Sequence, residues 1–163
     1  ASRLQDVDPE RAKAEMEQVQ QVARASLNEV RTLVRDRRPT DLVQELAGAK
    51  AVLGSAGVEL QVVGDPETVD PAVRPVLGRV LREAMTNVLR HSDPTRCSIR
   101  IETDDGRSVL HVENDGVLPP SGHNGTGLAA LARYLQDRRG YLDAKPSSDG
   151  TFRVTAVVPV GSR

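Results

Sequence analysis

Pro39 divides this chain into two stretches that cannot fold in the same way. Ahead of it, Asp8 can cap a helix with Pro9 at its first position, and no Gly or Pro interrupts the pattern from Glu10 to Arg38. Arg38 precedes a proline, which disfavours the α region and ends the helix there. Met16, Val19, Ala23, Ser26, Val30 and Leu33 recur at three-four spacing, and Val22, Leu27 and Val34 widen the stripe. A helix so apolar along one side must pair with a second copy or fold against its own chain. Residues 1–41 therefore read as a helix and linker, and 42–163 as a separate domain.

Beyond Pro39 the periodicity changes repeatedly. Helices are expected near Leu42–Ser55, from Asp70-Pro71 to His91, and over Gly127–Arg138, with Gly140 as C-cap of the last. Pro75 lies early enough in the second to be tolerated. Strands are expected at Val58–Val63, Arg96–Thr103, Arg107–Glu113, Tyr141–Ala144 and Thr151–Val158, with a hairpin at Asp104-Asp105-Gly106. In the third of these, Leu110 and Val112 share one face, while Val109, His111 and Glu113 share the other. Three helices on one side of a mixed, mainly antiparallel sheet make an α/β two-layer sandwich. With 2% aromatic residues and no Trp, its core must be Val, Leu, Ile and Ala.

The same scarcity leaves few stacking platforms for bases, and a formal net charge of −1 leaves no electrostatic footprint, so nucleic acid is not an expected partner. Cys97 is the single cysteine, which excludes an internal disulfide framework, and it reads as a small buried apolar residue. No run approaches the ~20 apolar residues of a membrane span, and no signal-peptide pattern is present.

Four short segments of the second stretch carry chemistry. Glu83, Asn87 and His91 lie four apart, along one side of a helix, where an amide oxygen and a carboxylate suit a hard cation such as Mg²⁺; the same spacing also describes a solvated polar edge. Asn114-Asp115-Gly116 follows a strand, so that a carboxylate there could accept from an exocyclic amine, although Asn-Asp-Gly is an ordinary turn sequence too. Gly125-Thr126-Gly127-Leu128 opens a helix after a loop rich in Gly, Pro, Ser and Asn, which lets backbone N–H groups approach phosphate. It is neither GxxxxGK[ST] nor GxGxxG. Gly150-Thr151-Phe152 comes last.

Joined in this order, the segments resemble the GHKL (Bergerat-fold) ATPase pocket of histidine kinases, topoisomerase ATPase subunits, Hsp90 and anti-sigma kinases. Residues 82–92 look like its N box, Asn114-Asp115-Gly116 like its G1 box and Gly125-Thr126-Gly127-Leu128 like its G2 box, and the match runs from about Leu42 to Pro159. Upstream, Ala25 to Leu42 is similar to the second dimerisation helix and linker of DesK-type and NarX-type sensor histidine kinases, and Leu46 to Val58 to the first helix of the DesK-like ATP-binding domain. The resemblance implies ATP and Mg²⁺ as ligands. It implies that Asp115 accepts from the adenine amine, that Thr151 assists through a water, and that Gly116 admits the base. Asn87 would be the Mg²⁺ ligand and Glu83 the catalytic residue orienting the nucleophile. Arg90 and His91 would meet phosphate, and Gly125, Thr126, Gly127 and Leu128 would form the hinge and phosphate-facing edge of a lid over 117–124.

Further expectations follow from the resemblance: a two-component protein histidine kinase, cytoplasmic as part of a membrane-anchored sensor, that forms homodimers and serves a response regulator of the NarL-like type. The phospho-acceptor histidine of its own dimerisation domain is not seen. The three histidines are His91, His111 and His123, none of which precedes the long helix; His111 is expected to be structural and His123 a solvated loop residue. The chain starts without Met, and residues 3–11 look like the turn between two hairpin helices, so it reads as a fragment that binds nucleotide without autophosphorylating. Two departures stand out. The lid is short and contains Pro119-Pro120, and Asp137-Arg138-Arg139-Gly140 replaces a Leu-Gly-Gly helix ending. Rival readings are a kinase-like interaction module without useful ATP binding, disfavoured by intact Glu83, Asn87 and Asp115, and a serine-directed anti-sigma kinase, disfavoured by the helical lead-in.

Overall fold

The computed structural model describes residues 9–21, 40–119 and 126–160. The chain forms two compact units, Ala1–Pro39 and Thr40–Arg163. Within the first, residues 9–21 are helical (α1), with Met16 and Val19 exposed and Arg11 paired to Glu15 one turn on, at 3.6 Å. The rest of the predicted stripe, from Val22 to Val34, lies outside the described residues.

The second unit is the expected α/β two-layer sandwich. Its elements run α2 (Leu42–Ser55), β1 (Glu59–Val63), a 3₁₀ turn (Pro66–Thr68), α3 (Arg74–His91), β2 (Arg96–Asp104), β3 (Arg107–Asn114), α4 (Thr126–Gln136), β4 (Tyr141–Pro146) and β5 (Phe152–Pro159). The five-stranded sheet has the order β1-β2-β3-β5-β4, parallel between β1 and β2 and antiparallel elsewhere. Cys97, Ile99 and Ile101 of β2, Leu110 and Val112 of β3, and Val154, Ala156 and Val158 of β5 are buried beneath the helices. As the sequence requires, aliphatic residues fill this core, and Cys97 lies in it at 3% exposure. The opposite face is polar, with Arg153 donating to Glu113 at 2.6 Å and His111 in contact with Thr155 at 3.1 Å, a structural place for that histidine.

Local rules account for the helices. Asp41 caps α2 by accepting from the Val43 N–H at 3.1 Å, a bond that contributes about 1 kcal/mol. The expected helix start at Asp70 is displaced to Arg74, because residues 71–73 form a turn whose Val73 and Arg74 N–H groups bond back to the Asp70 carbonyl. Pro75 then falls in the first turn, where its missing N–H costs nothing. Leu77, Val80, Leu81, Ala84, Met85 and Val88 make the buried stripe of α3. Arg82 clamps that helix to α2 through Nε and Nη2, 3.1 and 2.7 Å from Glu45 Oε1, with both side chains nearly buried.

At the end of α4 the residue with left-handed backbone is Arg139 (φ 62°), where Gly140 was expected to cap the helix. The Gly140 N–H reaches back to the Leu135 carbonyl at 2.8 Å, and that bond needs the left-handed residue one place earlier. Gly140 itself is held by space, since a Cβ there would overlap the Val157 carbonyl. Arg139→Gly is therefore expected to stabilise the unit by about 1 kcal/mol, read as a raised denaturation midpoint. Ser108 is fully buried in β3 and its Oγ has no partner. Ser108→Ala should raise stability by about 1 kcal/mol in the same measurement, because a sealed hydroxyl without a hydrogen bond costs more than a methyl; a loss would show that the hydroxyl is satisfied in solution.

Candidate nucleotide site

The loop after β3 is laced to the last turn of α3. Ser92, the C-cap of that helix, pairs with Val117 as an isolated bridge. The Asp93 N–H donates to the Gly116 carbonyl at 2.8 Å, and the Leu118 N–H to the His91 carbonyl at 2.9 Å. Gly116 has φ 69°, and a Cβ there would overlap the Asp93 carbonyl, so the position needs glycine for both conformation and space. Asn114 ends the inward row begun by Ser108, Leu110 and Val112, and is 3% exposed. Its Nδ2 donates to Ser92 Oγ and to the Asp115 carbonyl, each at 2.8 Å.

Asp115, the expected base acceptor, is turned toward the start of β2. Its Oδ1 accepts from the Thr95 and Arg96 N–H groups at 2.8 and 2.9 Å, and its Oδ2 accepts from the Thr95 hydroxyl. The Thr95 hydroxyl first, and the Arg96 N–H next, hold this carboxyl below the ordinary range. The polar group that β3 directs toward α3 is the neighbouring amide of Asn114. The alternation that placed Leu110 and Val112 on one face, extended by two residues, was the sequence signal for it. Cys97, opposite Asn114 in the ladder, is neutral, its thiol pushed up to about 11 by burial first and by the Asp115 carboxylate second.

Glu83 meets the start of α4. The first turn of α4 lies against the Glu83 carboxylate at Gly127, where a Cβ would push the end of that side chain aside. The N-terminal N–H groups of α4 favour negative charge at that point. Asn87, one turn beyond Glu83, is half-buried, as is His91, and Arg90 is exposed. Leu128 is buried in the core and anchors α4. Thr126 begins α4, whereas Gly125, His123 and the lid beyond Pro119 lie outside the described residues. Thr151 precedes Phe152, the ladder partner of Asn114, and so lies at the same end of the sheet; its hydroxyl donates to Asp149 at 2.8 Å. Among the described residues no three His, Cys, Asp or Glu side chains gather around a metal position. The donors near Asn87 fit a cation that takes most of its ligands from water and phosphate, which is the habit of Mg²⁺.

The fold is that of histidine kinase catalytic domains. The Acinetobacter baumannii histidine kinase AdeS superposes with a TM-score of 0.55 at 16% identity, over 95% of this chain and 86% of that one. The catalytic domain of histidine kinase ThkA gives 0.55 at 12% identity, over 73% and 92%. Residues 1–42 match the family model HisKA_3, histidine kinase. The sensor histidine kinases DesK and YvfT of Bacillus subtilis (strain 168) are 32% and 31% identical, over 96% and 86% of this chain. Over the matched residues the chain is homologous to sensor histidine kinases of this DesK type. It spans 43% and 38% of the length of those two relatives. Among the described residues no helix is long and apolar enough to cross a membrane.

A depressed carboxyl stabilises the fold above its unfolded pKa, about 3.9, and that contribution fades as pH falls through the lower folded value. Asp115→Ala should therefore be less stable than wild type at pH 7, with the gap closing below about pH 4 in denaturant titrations run across pH. A gap independent of pH would mean that the carboxylate does not hold the loop.

Proposed function

We propose that this chain is the ATP-binding catalytic part of a two-component sensor histidine kinase, which holds Mg-ATP between α3, the 114–118 loop and the start of α4. The observation that carries this reading is the convergence at one end of the sheet of three separate segments, through the contacts of Asn114 with Ser92, Gly116 with Asp93 and Gly127 with Glu83. The γ-phosphate is presented to a histidine of the dimerisation domain, whose imidazole nitrogen forms a bond to phosphorus as the bond to the β–γ bridging oxygen breaks and ADP leaves.

Phosphoryl transfer asks the protein mainly for positioning and charge neutralisation. Asn87 supplies an amide oxygen to Mg²⁺, and the ion, when bound, neutralises phosphate charge. Glu83 orients the attacking imidazole, and Arg90 and His91 meet phosphate. Gly125, Thr126, Gly127 and Leu128 form the lid hinge, with the α4 N–H groups facing the phosphates. Gly116 admits the base, Thr151 reaches it through a water, and the base acceptor is assigned to Asn114, with Asp115 supporting the loop. The domain acts on the cytoplasmic side of a membrane-anchored sensor, as a homodimer joined through the helical stripe, and hands its phosphate on to a response regulator of the NarL-like type.

Calorimetric titration of the full chain with ATP and ADP, with and without Mg²⁺, tests this. ATP binding should strengthen with Mg²⁺, and Asn87→Ala should weaken Mg-ATP about tenfold, about 1.4 kcal/mol, while sparing metal-free ADP. A folded wild type that binds neither nucleotide would sink the reading.

A further inference from the structure

Arginines gather without acids where α3 meets the end of α4. The guanidinium of Arg138 lies 3.5 Å from the centre of the Tyr134 ring, and that of Arg79, on α3, lies 6.0 Å from it. Tyr134 is half-buried against the core, which makes it a fixed platform for both. Arg138 spends Nη1 on the Tyr134 carbonyl at 3.2 Å. Among the described residues none of Arg79, Arg138 and Arg139 has an acidic partner, and Asp137, in the same turn, pairs with none of them. The open face of the sheet differs, since Arg96, Arg100 and Arg153 each lie beside a glutamate. A cation at a helix C-terminus is expected, and that accounts for Arg138 alone. It does not account for Arg79, which comes from another helix. Nor does it account for Arg139, an arginine kept in left-handed backbone at φ 62°, where glycine would cost less.

We propose that Arg79, Arg138 and Arg139, with Tyr134 as their platform, form a docking surface for a carboxylate-rich segment of a protein partner. Stacking holds a guanidinium flat without using its N–H groups. Nε and Nη2 of Arg138 and the whole fork of Arg79 therefore stay free to take a carboxylate in two parallel bonds. Side chains held in place beforehand lose little freedom on binding. Like charges brought to one ring repel each other, and an incoming anion relieves that repulsion. Tyrosine and arginine are also the side chains in which binding energy concentrates at protein interfaces. A flat anionic membrane would meet the exposed Asp137 together with the arginines, whereas a shaped protein surface can avoid it.

The test uses the full chain and a fluorescent oligoglutamate peptide, titrated by anisotropy at low and at physiological salt. Wild type should bind the peptide, and more weakly at the higher salt. Arg79→Gln with Arg138→Gln should lower the affinity about tenfold or more, and Arg138→Lys, which keeps the charge without the flat fork, should lower it several-fold. Arg139→Gly should lower it several-fold while raising the denaturation midpoint, a pairing that a purely structural arginine would not give. That variant reports even where the others fail to fold, and an affinity it leaves unchanged would remove Arg139 from the surface and overturn the proposal. Arg100→Gln with Arg107→Gln removes the same charge from the open face of the sheet and should leave the affinity within about twofold. An equal loss from that pair would show attraction by net charge alone, which overturns the proposal. So would a wild type that leaves the peptide unbound, or one that binds phosphatidylserine vesicles in its place.

Discussion

A helix can bury only one stripe, and the stripe that α3 buries decides where its polar edge points. Leu77, Val80, Leu81, Ala84 and Met85 are packed into one core with residues of the sheet and α2, each fully buried large side chain contributing about 1.5–3 kcal/mol. That fixes the rotation of the helix about its axis, and the nearly buried pair of Arg82 with Glu45 resists any slip. Breaking such a pair by removing one partner leaves an uncompensated charge, which is why it specifies geometry even where its net contribution is small. Glu83 then has one direction left to it, along the edge that meets α4, with Asn87 one turn further along the helix.

The second constraint is the lacing of the β3 end to the α3 end. Backbone bonds through Asp93, Gly116, His91 and Leu118 hold the loop, and the paired amide and hydroxyl of Asn114 and Ser92 fill the space beneath it. Asn114 is buried and Ser92 and His91 are half-buried, so the bonds made there count through the cost of leaving their partners unsatisfied. The polar outer face of the sheet contrasts with this. Its exposed pairs, such as Lys145 with Asp143 and Arg96 with Glu59, hold nothing that the site depends on and contribute little. Contacts between separate segments are thus concentrated at one end of the sheet, where rigid elements present short loops.

Asp115 and Asn114 show how adjacent polar residues take different work. In sequence the carboxylate of Asp115 is the expected acceptor for a base, being the stronger of the two. Three donors from Thr95 and Arg96 engage Asp115 and keep it ionised, so that it fastens the loop to β2. The weaker acceptor is left at the end of α3, where the Asp115 carbonyl, which can only accept, sets the amide's orientation and the Ser92 hydroxyl pairs with the same nitrogen.

Periodicity and punctuation in the sequence determined the helices near Leu42–Ser55 and ending at His91, five strands, an aliphatic core and the order of the glycine-bearing segments. These are local properties, set by which residues recur on one face and which cannot continue an element. Only the tertiary structure decided that Asn114 faces α3 while Asp115 turns to Thr95, that Gly127 lies against Glu83, and that Arg139 takes the left-handed turn before Gly140. The physical reason is the same in the first two cases. Hydrogen-bond partners and steric neighbours that lie far apart in the chain are chosen by packing, and no spacing within a single segment encodes them. At Arg139 a backbone bond to Leu135 outweighs the preference of glycine for that conformation.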